Sequence, residues 1–531
     1  MADYQLLLTE ITLSSLRRII LSVLLAALLT ASRVSRALAP TDSVPYEALP
    51  PDVHIETVVA NAEQLVAMDF TPDGRLLYTE RTGNVRVVVD DVLSPTPVYP
   101  FLVNTQGERG LLGIAVDPAF ETNHLVWVYL TRPLPDNVNF ENRVVRFVLP
   151  DNNQAQETTR VYGFPLDRFV TIHNGGNLHF GPDGKLYVTV GDNTYPGQPT
   201  PAQNITSPLG KMHRFTPGDP LTLPSDNPWP GRSQFAYGLR NSFDFDFDPI
   251  SGVLFATENG PDCDDELNRL LPGYNYGWRT AYPCDDATGP DPAYNTLPPL
   301  AYWTPSLAPT SLAFYTGEMI PEWQNDLFMC SYKDTTTAIH HFKLNAARTA
   351  IVSHTILSDT QTFQPVVCRT DLLTGPDGAL YYSQGGGYPE NNGPIKRLIR
   401  RTSFVQSEAQ MLAGRAVAGG EARVLINLRH HGTATNTFFV SVDASFQAQV
   451  LDAQTARGTI NAYPDSVAWS GTVSGLETVT ATYTLRLADT PTSTYLLTNL
   501  IQIDAPDATS LTLTPLIIVN GATTYLPIVW R

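Results

Sequence analysis

The feature that most constrains the fold is a recurring unit: a turn built on Asp-Pro or Pro-Asp-Gly, followed at once by a short apolar run. Thr71-Pro72-Asp73-Gly74 precedes residues 75–79, Asp117-Pro118 precedes 125–130, and Gly181-Pro182-Asp183-Gly184 precedes 185–190. Asp248-Pro249 precedes 253–257, and Gly375-Pro376-Asp377-Gly378 precedes 379–383. A sixth run, 326–331, lacks the turn signal. Proline followed by a polar residue and glycine sets up a tight reversal, because glycine accepts the positive φ that other residues resist. The runs between turns are rich in Val, Tyr, Phe and Thr, which favour strands. With 43 prolines, 36 glycines and no long charged helical stretch, the chain reads as all-β. Repetition at this spacing implies a six-bladed β-propeller with long loops between some blades. A large β-sandwich meets the same repeat pattern.

At 531 residues the chain exceeds one ordinary domain. The turn-strand texture occupies 55–401, after a Pro-rich linker at 40–54. Beyond it, 402–531 has few Asp-Gly turns and contains long alternations. Val479, Ala481, Tyr483, Leu485 and Leu487 alternate with polar residues, the pattern of a strand buried on one face. This region reads as a separate β-sandwich. His430-His431 has no carboxylate or cysteine beside it and reads as a solvated loop.

Residues 1–39 carry the marks of a signal peptide. Arg17-Arg18 precede an apolar run at 19–31, and Ala37-Leu38-Ala39 offers a small-x-small cleavage site. The run is short for a membrane span, although an uncleaved anchor is the alternative. No other segment is long and apolar enough to cross a membrane. A formal charge of −18, from 34 basic and 52 acidic residues, lacks the basic footprint of nucleic-acid binding and suits a soluble, exported protein at the cell surface or in the periplasm. Four cysteines in an oxidising compartment allow three pairings, of which Cys263–Cys284 with Cys330–Cys368 is the most local.

Residues 173–192, IHNGGNLHFGPDGKLYVTVGD with Ile172, place chemistry on this frame. His173 opens a loop with two glycines, and Asp192 ends the strand that follows the next turn. A sheet that folds back would make them a base and its orienting partner; in isolation His173 reads first as a surface histidine in a turn-rich loop. Gly107-Glu108-Arg109-Gly110 is a glycine-framed loop with a charged pair. Gly238-Leu239-Arg240-Asn241 can present a fixed cation to an anion, or hold an ordinary ion pair. Residues 258–278, ENGPDCDDELNRLLPGYNYGW, combine backbone carbonyls with several acids, chemistry that suits calcium without the spacing of an EF-hand.

In this order, GERGLLG, HNGGNLHFGPDGKLYVTVGD, YGLRN, NGPDCDDELNRLLPGYNYGW and DLLTGPDGALYY resemble the soluble quinoprotein glucose/sorbosone dehydrogenase family over about residues 55–400. That resemblance implies a six-bladed propeller using pyrroloquinoline quinone (PQQ) and calcium to oxidise an aldose at C1 to the lactone. Matched by motif, it implies His173 as general base, Asp192 as its orienting carboxylate, and Arg240 and Asn241 as contacts of the quinone carbonyls. It implies calcium on the backbone oxygens of Gly260 and Pro261, and cofactor contacts from Asn259, Lys333 and Arg369. Glu108 stands where glucose-oxidising members carry a sugar-touching glutamine. Where members carry Arg-x-Arg-Asp, this chain has Cys368-Arg369-Thr370-Asp371. The segment 436–499 resembles repeat domains of bacterial surface and secreted proteins.

The expected activity is therefore that of a secreted, PQQ-dependent sugar dehydrogenase with an external electron acceptor. The alternative is a non-catalytic extracellular propeller that binds carbohydrate or protein. The two differ in whether His173, Arg240 and a second cation converge on one central cavity. A hydrolase would need a nucleophile or carboxylate pair that the sequence does not display.

Overall fold

The computed structural model describes residues 44–520 except 51–52, 137–138, 196–197, 280–295, 334–336, 361, 388–390, 401–406, 413–415, 430–435, 445–446, 474–476, 490–493 and 505–510. The signal-like segment 1–39, His430-His431 and Cys284 lie outside the described residues.

Over the described residues the chain is strand-rich with almost no helix. Residues 53–400 form six antiparallel sheets in chain order. The first begins with Leu65–Phe70 and Leu76–Glu80, the second with Leu111–Val116 and Leu125–Pro133, and the third with Leu178–Phe180 and Leu186–Val190. The fourth begins with Phe245–Phe247 and Leu254–Glu258, the fifth with Pro309–Phe314 and Leu327–Ser331, and the sixth with Leu372–Thr374 and Leu380–Ser383. Five of these first-to-second strand links are the proline-containing turns seen in the sequence. Gly74, Gly184 and Gly378 sit there at φ +89°, +69° and +81°, where a Cβ would be strained. Four turn aspartates also reach arginines: Asp183 pairs with Arg214, Asp73 with Arg75, Asp377 with Arg397, and Asp248 with Arg348 of the neighbouring sheet. The fifth link instead contains a short 3₁₀ turn, Pro321–Trp323, anchored by the fully buried Trp323.

First strands of most neighbouring sheets pack side by side. Apolar residues fill the spaces between sheets, as where Leu77, Val85, Leu111 and Val128 meet between the first and second. The last sheet is completed by the start of the described chain. Val53–Ala62 pairs antiparallel with Gly393–Arg400, with Val53 opposite Arg400. Within the Pro-rich segment, Tyr46–Ala48 adds a parallel outer strand to the fifth sheet, beside Ile351–Ser358. Cys330 and Cys368 form a disulfide between the fifth sheet and the approach to the sixth. Cys263 is also disulfide-bonded.

Residues 408–519 form two further antiparallel sheets and a two-stranded pair around a core of their own. Thr478–Leu487 alternates as its sequence predicts, with Val479, Ala481, Tyr483, Leu485 and Leu487 buried. Among the described residues no helix is long and apolar enough to cross a membrane.

Candidate active site

The six sheets open onto one cavity with an empty volume of ≈ 850 Å³, its mouth included. Every sheet contributes to its wall, through Ala67, Leu112, Gly176, Asn241, Thr310 and Thr370 among others. Convergence of six inner strands is what brings residues more than 200 positions apart in the sequence to one place.

His173 stands beside this cavity on the loop before Leu178–Phe180, with φ 54° and 5 % exposure. The glycines around it are sterically required. A Cβ on Gly191 would lie 2.1 Å from the His173 carbonyl oxygen, and one on Gly176 would lie 2.9 Å from Leu112 Cβ. The sheet folds back as the motif requires, and His173 Nδ1 lies 2.7 Å from Asp192 Oδ1. Nε2 bonds no described residue. Asp192, fully buried, also accepts from Thr194 Oγ1 (2.5 Å), Thr200 Oγ1 (2.9 Å) and Trp278 Nε1 (2.7 Å). Burial alone would raise its pKa, but His173 and these donors outweigh burial and lower it. An ionised Asp192 accepts only, so Nδ1 carries a proton, and in the neutral ring Nε2 is the lone-pair nitrogen.

Glu108 lines the cavity, and its Oε2 accepts from the backbone N–H of His173 at 2.7 Å. Arg240 is 8 % exposed and donates from Nη1 to the Asn259 carbonyl at 2.7 Å, while its guanidinium lies over the Trp278 ring at 5.4 Å. Its buried Nε has no partner among the described residues. Asn241 accepts from Gly175 N at 3.0 Å, which leaves its amide nitrogen without a described partner. Asn259 donates to the carbonyls of Asn241 and Pro309. Beneath them lies Glu258, which accepts from Arg240 N, Asn241 N and Ser242 Oγ. Burial pushes Glu258 up to about 7 against the pull of those donors and of the Arg240 charge.

Gly260 and Pro261 follow directly. The Gly260 N–H is held by Asp265 at 2.9 Å, and a Cβ on Gly260 would strike the Cys263 carbonyl at 2.0 Å. No described residue donates to the carbonyl oxygens of Gly260 or Pro261. Two unpaired carbonyls in a fixed turn suit a hard cation, and a buried guanidinium with a free nitrogen suits an anion; the residues fit calcium and an anionic quinone. Lys333 and Arg369 lie together around Tyr332, a cavity residue. Lys333 is exposed, and the Arg369 guanidinium sits 5.2 Å from the Tyr332 ring and donates to its carbonyl at 3.4 Å.

Two contributors escape sequence reasoning. Arg81 lines the cavity and donates from Nη1 to the carbonyls of Thr105 (2.8 Å), Gly107 (3.1 Å) and Arg109 (3.1 Å). Glu258 orders Arg240 and Asn241 from below. Nothing local marks either one, although Glu258 opens the acid-rich stretch that carries Gly260 and Pro261.

A family model described as glucose/sorbosone dehydrogenase matches residues 62–395. The uncharacterized protein slr1608 of Synechocystis is 31 % identical over 389 residues, covering 68 % of this chain and 90 % of that protein. The aldose sugar dehydrogenase YliI of Escherichia coli is 28 % identical over 351 residues, covering 63 % and 90 %. Among solved structures, the PQQ-bound aldose sugar dehydrogenase of Streptomyces coelicolor aligns with a TM-score of 0.53 and 25 % identity, covering 67 % of this chain and all of that one.

Proposed function

The chain belongs to the glucose/sorbosone dehydrogenase family, and we propose that it is an exported, PQQ-dependent aldose dehydrogenase that oxidises C1 of a sugar to the lactone. The observation that carries this reading is His173. Its Nδ1 is committed to Asp192, its Nε2 bonds no described residue, and its neighbours Glu108 and Gly175 line the cavity. When bound, the quinone supplies the hydride acceptor and calcium its electrophilic polarisation. Nε2 of His173 takes the proton of the C1 hydroxyl, and Asp192 stabilises the charge the ring acquires. Arg240, Asn241 and Asn259 would hold the quinone, with Lys333 and Arg369 reaching it from the far wall. The carbonyls of Gly260 and Pro261 would hold the calcium. Arg240 placed against an oxygen that gains negative charge would lower the barrier to hydride departure.

On this reading the six sheets are six blades of a propeller spanning 55–401, and the region 402–531 is a β-sandwich outside the chemistry. Residues 1–39 direct export and are removed, and Cys263 pairs with Cys284. The decisive test is to load the full chain with PQQ and calcium and assay a panel of aldoses with an artificial electron acceptor. Turnover of at least one aldose is expected. Failure to bind PQQ at micromolar concentration would favour a propeller that only binds carbohydrate or protein.

A further inference from the structure

Trp278 touches both halves of the chemistry proposed above. Its indole Nε1 donates to Asp192 Oδ2 at 2.7 Å, and the face of the same ring carries the Arg240 guanidinium at 5.4 Å. Asp192 and Arg240 also meet directly, since Asp192 N donates to the Arg240 carbonyl at 2.7 Å. The three residues close a triangle. Trp278 is held in it by its own backbone. Its N–H donates to the Gly238 carbonyl at 2.8 Å, and its carbonyl accepts from Gln203 Nε2 at 2.8 Å. Gln203 and Asn275 bond one another reciprocally, at 3.0 and 2.7 Å. Gly238, at φ +77°, leaves no room between these groups, because a Cβ there would lie 2.0 Å from Asn275 Oδ1. A backbone fixed on both sides orients the indole.

An indole has one N–H, which only donates, and an electron-rich face that attracts cations. Here the N–H serves Asp192 and the face serves Arg240. Burial disfavours the charge on Asp192, and His173, Thr194 and Trp278 outweigh it. A carboxylate that loses a donor becomes more basic, and it then holds a protonated His173 ring more strongly. A guanidinium that loses its aromatic plane loses both attraction and orientation. Resting on the dehydrogenase reading, we propose that Trp278 is a positioning residue that ties the base to the cofactor site. Its N–H sets the basicity of His173 through Asp192, and its ring sets the plane in which Arg240 meets the quinone. The other charges facing this triangle are Glu258, Glu108 and Asp265 toward Arg240, and Lys211 toward Asp192. Trp278 is uncharged, so replacing it with another neutral side chain leaves all of them in place.

Two substitutions in the full chain separate the roles. Trp278→Phe keeps an aromatic face and removes the donor. Trp278→Gln keeps an N–H donor at the same bond distance from Cα and removes the face. NMR of isotope-labelled histidines in the apoprotein follows the titration of His173, identified by the signal lost in His173→Gln. Equilibrium titration with PQQ at fixed calcium gives cofactor affinity. Trp278→Phe should move the His173 midpoint to higher pH and change PQQ affinity by less than about twofold. Trp278→Gln should leave the midpoint in place and weaken PQQ binding by about three- to tenfold. In the loaded protein the acid limb of kcat/KM should move in Trp278→Phe alone. An unmoved midpoint in Trp278→Phe, or the same loss of PQQ affinity in both variants, would overturn the proposal; turnover of an aldose by wild type would then leave the dehydrogenase reading standing. The expected split without turnover of any aldose would instead overturn the dehydrogenase reading and leave the role of Trp278 standing.

Discussion

His173 Nδ1 lies 2.7 Å from Asp192 Oδ1, and that one contact fixes which nitrogen of the ring can act as a base. Substituting His173→Ala should lower kcat by about 10²–10⁴-fold, the usual contribution of a positioned base. Quinone affinity should change little, because His173 does not hold the cofactor. Asp192→Asn should cost less, about tenfold, since the base remains and only its orientation and charge support weaken. Stopped-flow turnover with a quinone titration by absorbance separates the two effects. Full activity in His173→Ala would assign the proton to another group.

Arg240 should behave in the opposite way. Arg240→Ala removes a buried guanidinium whose Nε has no partner among the described residues, so quinone affinity should fall by about tenfold or more. Arg240→Lys should not restore it, because an ammonium cannot reproduce the planar fork. Equilibrium titration of the apoprotein with PQQ at fixed calcium gives the answer.

Glu266 offers a test of electrostatics. It stands opposite Glu258 across two strands, and burial, reinforced by the charges of Glu258, Asp264 and Asp265, pushes it up to about 8. A carboxyl whose folded pKa is raised contributes stability that is complete below its unfolded value. That contribution is lost as pH rises through the folded value. Glu266→Gln should therefore stabilise the protein relative to wild type at pH 9 and show little of that gain near pH 5. Denaturant melts at the two pH values check the sign, and a larger gain at pH 5 would contradict it.

The Cys330–Cys368 bridge closes a loop with a sequence separation of 38. On loop-entropy grounds, replacing both cysteines by serine should cost roughly 4 kcal/mol. The loss should appear in the transition of residues 53–400 and leave that of the C-terminal sheets unmoved, which differential scanning calorimetry resolves.

Much of this architecture is legible in the residues, and the reason is local. A Pro-Asp-Gly turn dictates a reversal wherever it occurs, so Gly74, Gly184 and Gly378 announce the strands that follow them. The fifth link is silent because its reversal depends on Trp323 finding a buried site, a tertiary fact. His173 and Asp192 are readable because one hairpin joins them. Arg81 is not, because its partners, Thr105, Gly107 and Arg109, reach it only after two sheets have packed. The pairing of Val53–Ala62 with Gly393–Arg400 is equally hidden, since a half-exposed strand gives no sign of a partner more than 300 residues away.

That last pairing has a consequence for the order in which the molecule can be made. Val53–Ala62 leaves the ribosome early and has no mate until about 340 further residues have followed it. Closure is thus the most non-local step of folding, and the sixth sheet cannot be completed before synthesis of Gly393–Arg400. Because Val53 faces Arg400, the two ends of the stretch 53–400 lie side by side. Joining those two ends and opening the chain in a loop between two other sheets would move the late step elsewhere while preserving every pairing among the strands of residues 53–400.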